Sequence, residues 1–232
     1  MLFGHDITNH ISGLNALRKK LSNDHIKIAE PVYADMEKNY HMYKEISGRK
    51  YEPDIFPDNK NILLQLGRFI GYLHKKEYRG FGAAGNHTGK NFKSVLSKTY
   101  EFLIAEYWNS NEEIKGFFKK ITETELNPNS FSLIMPDISA NQFVFSDDME
   151  KINGLIDLDA YVIGPRELEL AILELCMPSQ NSAQYFKQGY EEFGRLPDIR
   201  SCRAAYRFLG YLCDPENNEK IRTLTEKNIY FE

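Results

Sequence analysis

Apolar residues follow two rhythms along this chain. Ile7, Ile11, Leu14, Leu17 and Leu21 recur every three or four positions, which predicts a helix over 7–21 with one apolar face. Thr8 suits its cap, and Gly13 weakens it by about 1 kcal/mol relative to Ala. His10 sits beside that face with no Cys or second well-spaced His, so it reads as a surface or capping residue. Residues 26–34 and 39–46 are strand-length runs separated by the turn-rich DMEK, and Ser47–Gly48 end them. Residues 49–60 carry two prolines among charged and turn-forming neighbours, which predicts a linker between a small unit, 1–48, and a large one, 61–232. Ile62, Leu63, Leu66, Phe69, Ile70 and Leu73 then form the buried face of a helix that closes on basic residues. Gly80, Gly82, Gly85 and Gly89 follow. No GxxxxGK[ST] is present and no strand precedes them, so the segment reads as a flexible loop on the substrate side rather than a phosphate cradle. Helical patterns return at 91–108, 111–122, 166–176, 181–194, 198–212 and 216–229, punctuated by Pro178, Pro197 and Pro215. Tyr185, Phe186, Tyr190 and Phe193 read as helix core, and Trp108 as core or pocket wall.

The densest chemistry lies in residues 132–171, SLIMPDISANQFVFSDDMEKINGLIDLDAYVIGPRELELA. Ser132–Met135 is a short apolar strand. Pro136 then removes a backbone donor and places Asp137 on a loop at the strand end. Phe143–Phe145 and Ile152–Ile156 flank a charged turn and predict a hairpin, with Asp157 and Asp159 just beyond it. Carboxylates on two neighbouring loops can face one space, and hard oxygen donors of this kind suit magnesium.

These residues resemble the catalytic half of the aminoglycoside phosphotransferase and choline kinase family, a branch of the protein-kinase-like fold. The resemblance runs through LIMPD, ISANQ, FVF, INGLIDLD and GPRELELA, with Ile156, Asp157, Gly164, Pro165, Arg166, Glu167, Leu170 and Ala171 at family spacing. Met135 and Pro136 stand where the family has His and Gly, and gapless counting from Asp137 puts Gln142, not Asn141, at the metal-binding Asn. Leu66, Gly67, Arg68, Leu73 and His74 match a family helix, with His74 read as a structural hydrogen-bonding group. The resemblance implies an α+β, protein-kinase-like fold with a reduced small lobe and a mainly helical large lobe. It implies Asp137 as catalytic base, Asp157 as a magnesium ligand with Asn141 or Gln142 and with Asp159 joining, and the backbone of Lys44, Glu45 and Ile46 as the hinge facing the adenine of ATP or another nucleoside triphosphate. The family also has a glycine-bearing hairpin and a strand Lys upstream, paired with a Glu on the helix. Neither fits into the residues before the first strand here, and the first helix holds no Glu. Either the small lobe is cut to a helix and two strands, or the reading frame lacks its start.

Composition adds three points. Hydrophobic residues at 42%, aromatics at 13% and a formal charge of −4 describe a globular chain with no nucleic-acid footprint. Residues 147–174 carry eight acids against Lys151 and Arg166, which favours a metal ion or a cationic substrate if they face one site, although Glu167, Glu169 and Glu174 read equally well as a solvated helix face. Cys176, Cys202 and Cys213 form no CxxC pair, and no run approaches the roughly 20 apolar residues of a membrane span, so a cytoplasmic protein is expected. Two functions remain open: a magnesium- and nucleotide-dependent phosphotransferase acting on a small-molecule hydroxyl, and a degenerate kinase fold serving as a binding or regulatory module.

Overall fold

The computed structural model describes the chain except for residues 1, 2, 4–10, 36, 39, 123, 125, 127, 129, 159, 216–219 and 232, and the side chains at 222 and 224. The expected Thr8 cap and His10 therefore lie outside the described residues. α1 (Ile11–Leu21) buries Leu14, Leu17 and Leu21, the face its spacing predicts.

The expected strand over 26–34 divides at Ala29–Glu30. Its first part, β1 (Lys27–Ile28), runs parallel to β9 (Ile152–Leu155), while β2 (Pro31–Asp35) forms a separate antiparallel ribbon with β3 (Tyr40–Tyr43). β4 (Arg49–Lys50), inside the expected linker, pairs with β8 (Phe143–Phe145), and β8 pairs with β9. The resulting sheet, ordered β1-β9-β8-β4, holds the central hairpin between two strands from the N-terminal quarter of the chain. Gly48 makes the return possible. It has φ +141°, and a Cβ there would lie 2.2 Å from the Phe145 carbonyl oxygen.

A second sheet, β6-β5-β10-β7, contains β7 (Phe131–Ile134), β10 (Val162–Pro165), β5 (Phe81–Ala83) and β6 (Asn86–Gly89). The glycine-rich segment is thus a β-hairpin added to the edge of β10, not a free loop. β7 and β10 are antiparallel with Ile134 opposite Val162, so the chain leaves β7 beside the point where it enters β10.

Helices make up most of the remainder. α2 (Lys60–His74) starts at Asn59, whose side chain accepts from the amides of Asn61 and Ile62. It packs against α6 (Gln180–Tyr190) through glycines on both sides. A Cβ at Gly67 would lie 2.1 Å from Phe186 O, and one at Gly189 would lie 2.2 Å from Leu64 O. α3 (Phe92–Tyr107) and α4 (Glu112–Thr122) follow their patterns, and Trp108 after α3 stacks on Tyr211 at 5.0 Å. α5 (Arg166–Leu173) tightens into a 3₁₀ turn at Glu174–Cys176, α7 spans Arg203–Cys213, and α8 spans Ile221–Glu226.

Glu174, read equally well as part of an acidic site or of a solvated face, is fully buried. Its Oε2 accepts from Arg203 Nε and Arg207 Nη2, at 2.7 and 2.6 Å. Its Oε1 accepts from the amides of Tyr230 and Phe231, both at 2.6 Å. One carboxylate thereby ties α5, α7 and the C-terminal segment together, which is the pairing a buried charge requires.

Candidate active site

The site is built from two loops at neighbouring strand ends, 135–142 after β7 and 156–161 after β9. Four contacts hold the first loop. The Met135 amide donates to Glu169 Oε1 at 2.8 Å, the Ala140 amide donates to Asp54 O at 2.9 Å, and Gln142 Oε1 accepts from the Ser139 amide at 2.9 Å. Gln142 Nε2 also reaches Asp137 O at 3.1 Å. The second loop is stitched to the first because the Ile156 amide donates to Gln142 O at 3.1 Å. Gln142 thus joins the backbone of Asp137 to the residue preceding Asp157, which brings the two loops together at one end of the sheets.

Asp137 is exposed and Asp157 half-buried. Tyr161, absent from the sequence reading, is completely buried, and its hydroxyl has no hydrogen-bond partner. Burial, then the nearby carboxylate of Glu169, then those of Asp137 and Asp157, push this phenol well above its usual range. Its surroundings place the two loop aspartates in one electrostatic neighbourhood.

Asn141 and Gln142 are used differently. Both polar atoms of the Gln142 side chain brace the loop from within, and the residue is only 7% exposed. Asn141 is half-exposed. Its Nδ2 donates to Asp54 Oδ1 at 2.8 Å, and its Oδ1 accepts from Ser139 Oγ at 2.8 Å. Asp159 lies outside the described residues. Among the described residues, no group of three or more His, Cys, Asp and Glu side chains is arranged to hold a metal ion unaided. Carboxylate and amide oxygens such as those of Asp157 and Asn141 are the donor type that a hard cation takes alongside water and phosphate.

At the proposed hinge, Lys44 and Glu45 are exposed and Ile46 is buried. The Lys44 amide already donates to Glu30 O at 2.8 Å. Ile46 joins Ala29 and Val144, with Tyr43 and Ile156 against them, in an apolar cluster separate from the main core. That cluster spans the β1 end, the hinge and the strand leading to Asp157.

Three residues that surround these loops carried no assignment to the site in the sequence. Glu169 is fully buried beside His74, with Glu169 Oε2 2.6 Å from His74 Nε2 and Tyr190 Oη 3.0 Å from His74 Nδ1. The one available signal was its place in Glu-Leu-Ala, within the motif that starts at Gly164. Asp54 sits in a proline-rich stretch with no motif, and Tyr161 falls between two recognised elements. The acidity of 147–174 also disperses, because Asp147, Asp148 and Glu150 are exposed in the hairpin turn while Glu169 and Glu174 are buried against partners.

No protein-family model matches this chain, and no curated protein does either. Solved structures do. Macrolide 2′-phosphotransferase MphH from Brachybacterium faecium superposes with TM-score 0.60 at 13% identity, over 95% of this chain and 79% of that one. Choline kinase LicA from Streptococcus pneumoniae gives 0.56 at 16%, over 96% and 80%. The ADP-bound aminoglycoside phosphotransferase APH(2″)-Ib gives 0.57 at 14%, over 92% and 79%. At these identities the likeness establishes the fold: α+β and protein-kinase-like, of the kind these phosphotransferases share.

Proposed function

We propose that the chain transfers a phosphoryl group from a nucleoside triphosphate, with ATP the first candidate, to a hydroxyl group of a small molecule. The observation that carries this reading is the Gln142 link, which holds the Asp137 loop against the Asp157 loop on a fold used by phosphotransferases. Exposed Asp137 would accept or orient the proton of the acceptor hydroxyl. Asp157 would hold magnesium, with Asn141, the more exposed of the two amides, as the first choice beside Gln142 and with Asp159 a further candidate ligand. Bound magnesium would neutralise the charge that develops on the phosphates. The apolar cluster of Ala29, Ile46 and Val144 offers a surface for the base, which the backbone of Glu45 and Ile46 would read, since the Lys44 amide is engaged. The two exposed or half-exposed aspartates favour an acceptor carrying positive charge.

A binding or regulatory module is the second reading, and the enclosed Gln142 side chain favours it, because a metal would lose one expected ligand. Thermal shift with ATP and magnesium separates the two. A nucleotide at 100 times its Kd adds about 2.7 kcal/mol of stability. In the enzyme reading, Asp157→Ala abolishes that shift, while Asp137→Asn keeps the shift and loses phosphate transfer to a panel of amino sugars, macrolides and amino alcohols. A shift without transfer by the unmodified protein selects the module. No shift with any nucleoside triphosphate removes the nucleotide site.

A further inference from the structure

The C-terminal ends of α1 and α2 converge behind β7 on a cleft of about 380 Å³, lined by Lys19, Lys20, Tyr72, Lys75, Lys76 and Tyr78, with Leu133 of β7 at its base. Four lysines line this space, and among the described residues no carboxylate does. Lys20 Nζ donates to the Ala84 carbonyl, and Lys76 Nζ stands 5.3 Å over the Tyr78 ring. None of the four forms a salt bridge with a described residue, although the chain carries 33 acids against 29 Lys and Arg. His87 packs edge-on against Tyr78 at 5.0 Å, and its buried Nδ1 has no hydrogen-bond partner.

Basic residues in a last helical turn are ordinary, because they offset the helix dipole. That accounts for each helix end alone and not for two ends opposed across one cleft. The opposition has a cost. Burial and then the charge of Lys76 lower the Lys20 pKa, and burial with both lysines lowers that of His87. A bound anion would relieve this repulsion.

We propose that the cleft binds a compact small molecule bearing several phosphate groups. Lysines act as point-charge ligands for phosphate, and the tyrosines supply walls and hydroxyl donors. The volume falls in the lower part of the roughly 300–1,000 Å³ range of small-molecule sites. The four lysines line one recess, and the chain is net negative at −4, which opposes a long anionic polymer or an anionic bilayer. None of its lining residues belongs to the Asp137 or Asp157 loops.

The test is calorimetric titration of the full chain with inorganic tripolyphosphate at fixed ionic strength, with EDTA present so that no metal can carry the ligand to the aspartates. One saturable site is expected. Lys75→Gln with Lys76→Gln, and separately Lys19→Gln, should weaken it by about tenfold or more, while Lys98→Gln on α3 leaves it unchanged. Melting temperatures of the variants should equal or exceed that of the parent, because repulsion is relieved. Unchanged affinity in both groove variants overturns the proposal. So does displacement by sulfate at matched ionic strength, or tighter binding to phosphatidylserine vesicles or a single-stranded oligonucleotide than to tripolyphosphate.

Discussion

The backbone amide of Met135 donates to Glu169 Oε1 at 2.8 Å, while Glu169 Oε2 lies 2.6 Å from His74 Nε2. One buried carboxylate on α5 thus fixes the start of the Asp137 loop and lies against the end of α2. Apolar packing of Met135 and the fixed φ of Pro136 also act at this loop start. Met135 is buried, but its main-chain donor supplies a directional tie that its side chain lacks.

Glu169→Ala should destabilise the protein by about 3–5 kcal/mol, because it strands His74 and the Met135 amide in the core. Glu169→Gln keeps an acceptor for that amide and should cost about 1–3 kcal/mol. Urea unfolding of the pair ranks them, and equal losses would show that side-chain volume, not the carboxylate, is what the site needs.

Pro136→Gly should leave unfolding nearly unchanged, because the loop stays anchored at Met135, Ala140 and Gln142. Asp137 gains freedom, so any turnover should fall about ten- to a hundredfold at constant nucleotide affinity. Parallel loss of affinity and rate would mean that Pro136 supports the whole domain.

Glu174→Ala should cost about 3–5 kcal/mol, because Arg203 and Arg207 lose the carboxylate they share. The C-terminal segment also loses its tie at Tyr230 and Phe231. Limited proteolysis should therefore cut near residues 227–231 before the rest of the chain. Cleavage that starts elsewhere would argue against the tie.

Gly67→Ala should destabilise by about 1–3 kcal/mol, since its methyl would meet the Phe186 carbonyl across the α2–α6 contact. Gly116→Ala, on the exposed face of α4 with nothing within 4 Å, should stabilise by about 0.5–1 kcal/mol. Matched thermal melts of the two variants compare packing with helix propensity directly.

Burial pushes the Cys176 thiol from 9.0 to about 12. A folded pKa above the unfolded value gives stability that is complete below pH 9 and lost as pH rises toward 12. The loss is about 1.4 kcal/mol per pH unit within that window. Cys176→Ala should therefore show a shallower decline in unfolding free energy between pH 9 and 10 than the parent. Identical slopes would assign the alkaline loss to other groups, such as Cys202, which is raised in the same way.

Local pattern alone determined the helical faces of α1 and α2, the β8–β9 hairpin, and the placement of Asp137 and Asp157 on loops at strand ends. Each depends on a period or a turn that a few consecutive residues specify. Tertiary structure decided what depends on partners distant in the chain. Lys27–Ile28 left the ribbon of β2 and β3 because its parallel partner lies over a hundred residues away in β9. The glycines after Tyr78 suggest flexibility by composition, yet they serve a hairpin on the edge of β10. Glu169 and Glu174 have the helical positions of surface acids, and only His74, Arg203 and Arg207, brought in by folding, make their burial affordable. The resemblance offered Gln142, beside Asn141, as a metal ligand by its spacing from Asp137. Its side chain instead turned inward to close the loop, because the Ser139 amide and the Asp137 carbonyl needed partners there.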